Sequence, residues 1–239
     1  MAQFKKQMKK IGRYTWEIVK ASIPGMFMYL CAGVIMMMVC LKKEPASWTT
    51  SAKVWSVVCL IGAVAYNALI CWAHGGSHYE MLVSGNVKRA TAEMYGSAYK
   101  ISSHKEAKEY RVWKGFLFGG ITAILTIAVG IYFGCKQSTI DSQLTGGALI
   151  GFLISGWSIL PIYCINVTSG MHISYFLTCL FALIPIAVSG GLYIAGAYAR
   201  RAKTLRQQLI AQKAAEAEAN RVKKINYGGL PGTKPKKRK

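Results

Sequence analysis

Acidic residues are scarce in this chain: nine Asp and Glu stand against 30 Lys and Arg among 239 residues. Charge of either sign is low, at 16%, whereas 53% of the residues are hydrophobic; an ordinary soluble domain carries roughly a quarter charged residues. The interiors of the long apolar runs hold no Asp, Glu, Lys, Arg or His. Proton pumps, cation exchangers and many transporters place ionisable groups at mid-membrane because coupling needs them. Their absence argues against those classes. Paired cysteines are missing too. Cys31, Cys40, Cys59, Cys71, Cys135, Cys164 and Cys179 lie in or beside apolar runs, and no two form a C-x-x-C pair. That excludes a secreted disulfide framework and gives no case for an iron–sulfur or structural zinc site. They read as small packing residues, and no cofactor is expected. The first apolar run has no small-x-small cleavage site before Lys42-Lys43-Glu44-Pro45, so it is expected to be retained as a span.

What is present is a series of membrane-length apolar segments separated by charged stretches. Residues 1–17 place Phe4, Met8 and Ile11 at helical spacing opposite Lys5, Lys6, Lys9, Lys10 and Arg13, a basic amphipathic entry to an anionic membrane surface. Residues 18–73 hold the first two membrane helices, Ile18–Leu41 and Lys53–Ala73. Pro24-Gly25 is expected to bend the first, and Trp55 and Trp72 anchor the second at the interfaces. Residues 74–114 form the long polar segment. His74-Gly75-Gly76-Ser77 reads as a turn out of the membrane, followed by an amphipathic helix from about Val83 to Ile101. Ser103 and Glu106 have capping-box spacing, which predicts a helix running on through Glu109, Arg111 and Trp113 into the third span.

Residues 115–199 carry three further apolar segments: Gly115–Cys135, Gly146–Ile165 and Ile173–Ala199. Beyond Arg200 the apolar character stops while helix formers continue, so residues 200–227 are an extramembrane helix. Residues 228–239 form a basic tail read as disordered, with Lys234, Lys236, Lys237, Arg238 and Lys239 available to a polyanion or partner. The fold class is therefore all-α: a polytopic membrane helix bundle of four to five hydrophobic segments, one of them re-entrant, plus a C-terminal extramembrane helix.

The re-entrant segment follows from a conflict in the charges. Lys and Arg number six up to Lys20, three in 42–53, seven in 74–114, one in 136–145 and thirteen from Arg200 onward. The positive-inside rule then puts the N-terminus, the 74–114 segment and the tail on one side. Five full crossings cannot do that, so one of the last two segments is expected to be re-entrant. The alternative is an ordinary five-span protein whose tail lies on the far side, against the charge rule. Gly156 and Pro161 in the fourth segment, or Pro185 with Gly190-Gly191 in the fifth, could turn the chain back. Such a break is tolerated only where protein or a watery cavity covers it.

Small residues recur in fours: Gly115 and Gly119, Gly130 and Gly134, Gly147, Gly151 and Ser155, and Gly191 with Ala195. Such stripes let helix backbones approach closely. Asn67 and Ser158 are the polar groups singled out inside the membrane. His74, His78 and Glu80 are a weak metal candidate, because HxxxH needs a helix and Gly75-Gly76 argues against one. Asn166-Val167-Thr168 matches a glycosylation acceptor held too close to the bilayer for occupancy.

These features point to a non-catalytic integral membrane subunit of a larger assembly, of secretion, DNA-transfer, translocation or respiratory type. Its expected partners are other membrane subunits or a second copy, anionic lipid headgroups, and nucleic acid or an acidic protein through the basic tail. A small transporter or channel is the second reading and a membrane enzyme the third, since no convergent nucleophile–base set is visible. A bacterial plasma or inner membrane is the expected location, with an organellar inner membrane as the alternative.

Overall fold

The computed structural model describes residues 2–41, 49–96, 103–142 and 145–227. Among these the fold is an all-α bundle without a β-sheet, and five helices are long and apolar enough to cross a membrane. The elements are α1 (Ala2–Cys40), α2 (Thr50–Met94), α3 (Ser103–Ala107), α4 (Val112–Cys135), α5 (Gln137–Ser142), α6 (Gly146–Ser169), a 3-10 turn (Tyr175–Leu177), α7 (Thr178–Phe181) and α8 (Leu183–Tyr227). The chain divides into two compact units, one ending at Ala197 and one beginning at Tyr198. The basic tail 228–239, on which the polyanion residues Lys234 to Lys239 fall, lies outside the described residues.

Side-chain contacts give the direction of each segment in the first unit. Cys40 meets Ser56, and Gly25 faces Asn67, so α1 and α2 run antiparallel. Asn67 meets Ser189 and Gly75 faces Tyr193, so α2 and the first part of α8 run parallel. Gly134 faces Phe176, Gly130 faces Thr178 and Gly119 faces Pro185, so the fifth apolar segment descends antiparallel along the whole of α4. These four segments run the length of the bundle. Lys10, His78, Arg111 and Tyr193 then gather at one end, and Cys40, Ser56, Phe133 and Asp141 at the other.

The fourth segment turns back within the bundle. A straight helix would separate Gly147 from Asn166 by about 28 Å along its axis, at 1.5 Å per residue. Instead Gly147 packs on Tyr132, while Asn166 bonds Ile173, whose carbonyl also accepts from Gln137 just beyond the end of α4. Phe152 and Tyr163, on opposite arms, bring their rings to 5.1 Å. The turning point is Ser155, whose φ −136° and ψ 26° are not helical. Both arms of α6 therefore start and finish at the end away from Lys10. This re-entrant hairpin reaches Tyr29 and Gly33 of α1, near the middle of the first apolar segment: Trp157 lies 4.9 Å from the Tyr29 ring, and a methyl on Gly33 would sit 3.2 Å from the Gly156 nitrogen.

The break is satisfied locally. Ser158 Oγ donates to the Ser155 carbonyl at 2.9 Å, and the two hydroxyls lie 3.1 Å apart. Ser155 is fully buried and Ser158 nearly so, so protein covers the irregular backbone, as the bilayer requires. The hairpin ends at Gly170, in the left-handed region (φ 61°) that closes a helix. Asn166 then ties the loop: its amide nitrogen donates to the Ile173 carbonyl and its oxygen accepts the Ile173 N–H, at 2.9 and 2.8 Å. That use of both amide atoms removes the sequon as an acceptor site.

α1 is one continuous helix through Pro24-Gly25, where Gly25 serves the close approach of the Asn67 side chain. Three local expectations are corrected. α2 runs unbroken through Gly75-Gly76, because Gly75 is where the Tyr193 carbonyl seats against the helix, not a turn. The helix from Ser103 stops at Ala107 and α4 restarts at Val112, because the Lys114 side chain takes the carbonyls of Ala107 and Glu109. In the last segment the close approaches fall at Gly190, against Phe116, and Gly196, against Trp72, whereas Gly191 faces open space and Ala195 is exposed. Gly115, Gly147 and Gly151 meet Tyr193, Tyr132 and Phe133.

The hairpin predicts a labelling pattern. With the native cysteines replaced, single cysteines at Thr145 and Gly170 should react from the same side, opposite to cysteines at Lys10 and Arg89. Labelling of 145 and 170 from opposite sides would show a full fifth crossing. The packing also separates two glycines. Gly119→Ala should destabilise the detergent-solubilised protein by about 1–3 kcal/mol through overpacking on Pro185, while Gly191→Ala should be neutral or stabilising by up to ~1 kcal/mol. Thermal melts of the two variants compare them directly.

Candidate functional site

The polar groups of the first unit collect at the end that holds Lys10. The uninterrupted α2 puts His74 and His78 one turn apart on one face, ring centroids 5.9 Å apart. Both pack on Phe118 of α4. His78 Nδ1 lies 2.9 Å from the Tyr193 hydroxyl, and Tyr193 is stacked on Tyr110 at 5.2 Å and 13°. Phe118 meets the Tyr193 ring edge-on at 5.4 Å. The Tyr110 N–H donates to the His78 carbonyl at 3.0 Å. The segment between α3 and α4 is thereby clamped across α2 and the last span.

Lys114 is the centre of the second half. Although only 1% exposed, it donates to the Ala107 carbonyl at 2.6 Å and to the Glu109 carbonyl. Its Nζ and the Arg111 guanidinium each lie 5.4 Å from the Tyr14 ring. Glu109 is buried and bonded by Arg89 at 2.7 Å, and Glu106 is bonded by Lys10 at 2.8 Å. Both carboxylates here are therefore balanced by cations from distant parts of the chain.

Lys10, at the polar end of α1, is raised by its hydrogen bond and charge interaction with Glu106. With His78 bonded to Tyr193 and Glu109 committed to Arg89, this cluster is a clasp between four elements.

The metal candidates are not brought together. His74 and His78 share a face, but Glu80 lies two residues further round the helix and is exposed. Among the described residues no group of three or more His, Cys, Asp or Glu could hold a metal ion. All seven cysteines are free thiols. Asn67 and Ser158 are both buried, in different places. Asn67 donates to Ser189 Oγ at 2.9 Å and accepts from the Cys71 thiol at 3.7 Å, whereas Ser158 serves the hairpin turn. The Tyr29 hydroxyl is buried with no hydrogen-bond partner among the described atoms.

Lys114, Glu109, Arg89, Tyr110 and Tyr193 escaped the sequence reading. The one visible signal was a lysine abutting the charge-free run 115–135. Comparison with protein-family models, with curated proteins and with solved structures returned no match.

The buried cluster sets a mutation response. Lys114→Ala leaves two carbonyls without their donor and should cost about 1–3 kcal/mol. Lys10→Ala, at an exposed pair, should cost under about 1 kcal/mol.

Proposed function

We propose that this chain is a non-catalytic membrane subunit of a larger assembly, whose bundle anchors a basic helix for a partner. The observation that carries this reading is the second unit. From Arg201 to Arg221 the helix is exposed at every residue except the half-buried Thr204, and it presents Leu205, Leu209 and Ile210 at 50–62% exposure. In proteins most helical stability comes from tertiary packing, and this stretch has none within its own chain among the described residues. Contact with another chain would supply the missing burial. Its charge favours an acidic one: Arg200, Arg201, Lys203, Arg206, Lys213 and Arg221 outnumber Glu216 and Glu218. The charge-free segment interiors and the satisfied hairpin fit an anchoring role. The basic distribution supports a cytoplasmic Lys10 end, in a bacterial plasma membrane.

A small channel or transporter is favoured by one observation, the re-entrant hairpin that ends near Tyr29. One preparation separates the two. The full chain, extracted from its native membrane in mild detergent, should co-purify with a stoichiometric partner by native mass measurement. Deleting Leu205–Lys239 should leave the melting temperature of the bundle unchanged and weaken that association on the order of tenfold at low salt. A partner-free monomer or homo-oligomer that conducts solute in proteoliposomes would replace the subunit reading by the second.

A further inference from the structure

At the Lys10 end a groove with room for about 460 Å³ opens between α1 and the start of α4. Its upper wall carries Lys10 and Arg111, its middle Tyr14 and Trp113, and its floor Ile18 and Leu117. Ile18 and Leu117 stand at the beginning of the first and third apolar segments. The groove thus runs from the polar end of the bundle into the hydrocarbon level. From these positions we infer that it holds one anionic phospholipid, the phosphate between Lys10 and Arg111 and an acyl chain against Ile18 and Leu117.

Charge and chemistry both select this occupant. Residues 5–20 and 105–114, which form the two walls, carry ten Lys and Arg against Glu17, Glu106 and Glu109. Glu106 and Glu109 are already bonded by Lys10 and Arg89, which leaves the surroundings net positive. The Lys10 side chain is 48% exposed and has donors to spare beyond its bond to Glu106. Arg111 is exposed, pairs with no carboxylate among the described residues, and offers a planar fork suited to phosphate oxygens. Arg111 also caps α4 without a side-chain bond to the first amides, so the helix start adds a favourable dipole for an anion. Trp113, 43% exposed, sits where an indole prefers the headgroup layer. Basic clefts between membrane helices on the cytoplasmic side have the general character of acidic-lipid sites.

The test uses the full chain in detergent, titrated with phosphatidylglycerol or phosphatidylcholine and read by native mass measurement. One phosphatidylglycerol should remain bound, with on the order of tenfold preference over phosphatidylcholine. The double variant Lys10→Gln, Arg111→Gln should lose about thirtyfold in phosphatidylglycerol affinity, since two basic contacts of about 1 kcal/mol each are removed. Lys5→Gln, Lys6→Gln removes the same charge outside the groove and should retain binding. Ile18→Trp keeps every charge but fills the floor, and should also exclude the lipid; it decides the matter if the charge variant fails to fold. Equal retention of the two lipids, equal loss in the Lys5/Lys6 control, or unchanged binding in Ile18→Trp would overturn the site. Displacement of the lipid by millimolar inorganic phosphate would overturn it as a lipid site in favour of a free anion.

Discussion

In hydrocarbon no water is present to bond a free N–H or C=O, so a helix that breaks there must satisfy its own backbone or be covered. The arrangement of this bundle depends on how that constraint is met at Ser155. Two serine hydroxyls serve the break and Gly33 brings the α1 backbone against it. Because the turn is satisfied inside protein, the two arms of α6 can return to one end of the bundle, while the remaining four segments run its length. The entry region of α1, the clasp around His78 and the end of the last span at Ala197 then share an end. The conflict between five apolar segments and the distribution of basic residues is resolved by one irregular residue.

Close backbone approach is the second device, and its placement is asymmetric. Gly119, Gly75 and Gly196 each accept a neighbour's carbonyl region where a side chain would stand, fastening the last span to α2 and α4. The large residues opposite them, Tyr193 and Phe118, are buried at that same end. Away from it, α6 is wedged among aromatic rings: Phe133 meets Phe152 at 5.2 Å and Tyr175 at 5.5 Å, and Tyr175 bonds Asp141 at 2.6 Å. In lipid the apolar effect does not draw helices together, so such packing and a few hydrogen bonds hold the bundle.

The number and extent of apolar segments were legible in the sequence, because a charge-free run of membrane length has few other uses. The need for a re-entrant segment was legible as well, because charge is counted in sequence but acts across the membrane. Which segment turned was not, since Pro161 and Pro185 are equivalent breakers on paper. In the fold Pro185 lies in the first turn of α8, where a missing N–H costs little; the turn falls instead at Ser155, whose hydroxyl partner Ser158 is three residues away. Gly75-Gly76 misled for a related reason. Glycine signals a turn locally, yet here it records the Tyr193 backbone, 118 positions further along the chain. The small-residue stripe was likewise shifted from Gly190 to Gly191, since spacing alone does not say which side of a helix has a neighbour.

Lys114 shows how much of the polar end is long-range. An ammonium at the start of an apolar helix ordinarily reaches outward to water, keeping its stem against lipid. Here it turns back to the carbonyls that end α3, and so closes the link that Tyr110 fastens to His78. Tyr14 lies under both Lys114 and Arg111, and its hydroxyl bonds the Glu106 carbonyl at 3.4 Å. α1, α2, α3 and α4 therefore meet through cations whose counter-charges come from other elements. Losing Arg89 or Lys114 leaves a buried carboxylate or carbonyl exposed to the penalty of an unmade bond. Among the described residues the far end carries no comparable set of charges: its buried polar contacts are neutral amides and hydroxyls, apart from Asp141. Neutral packing organises the bundle at that end and charge organises it at the other.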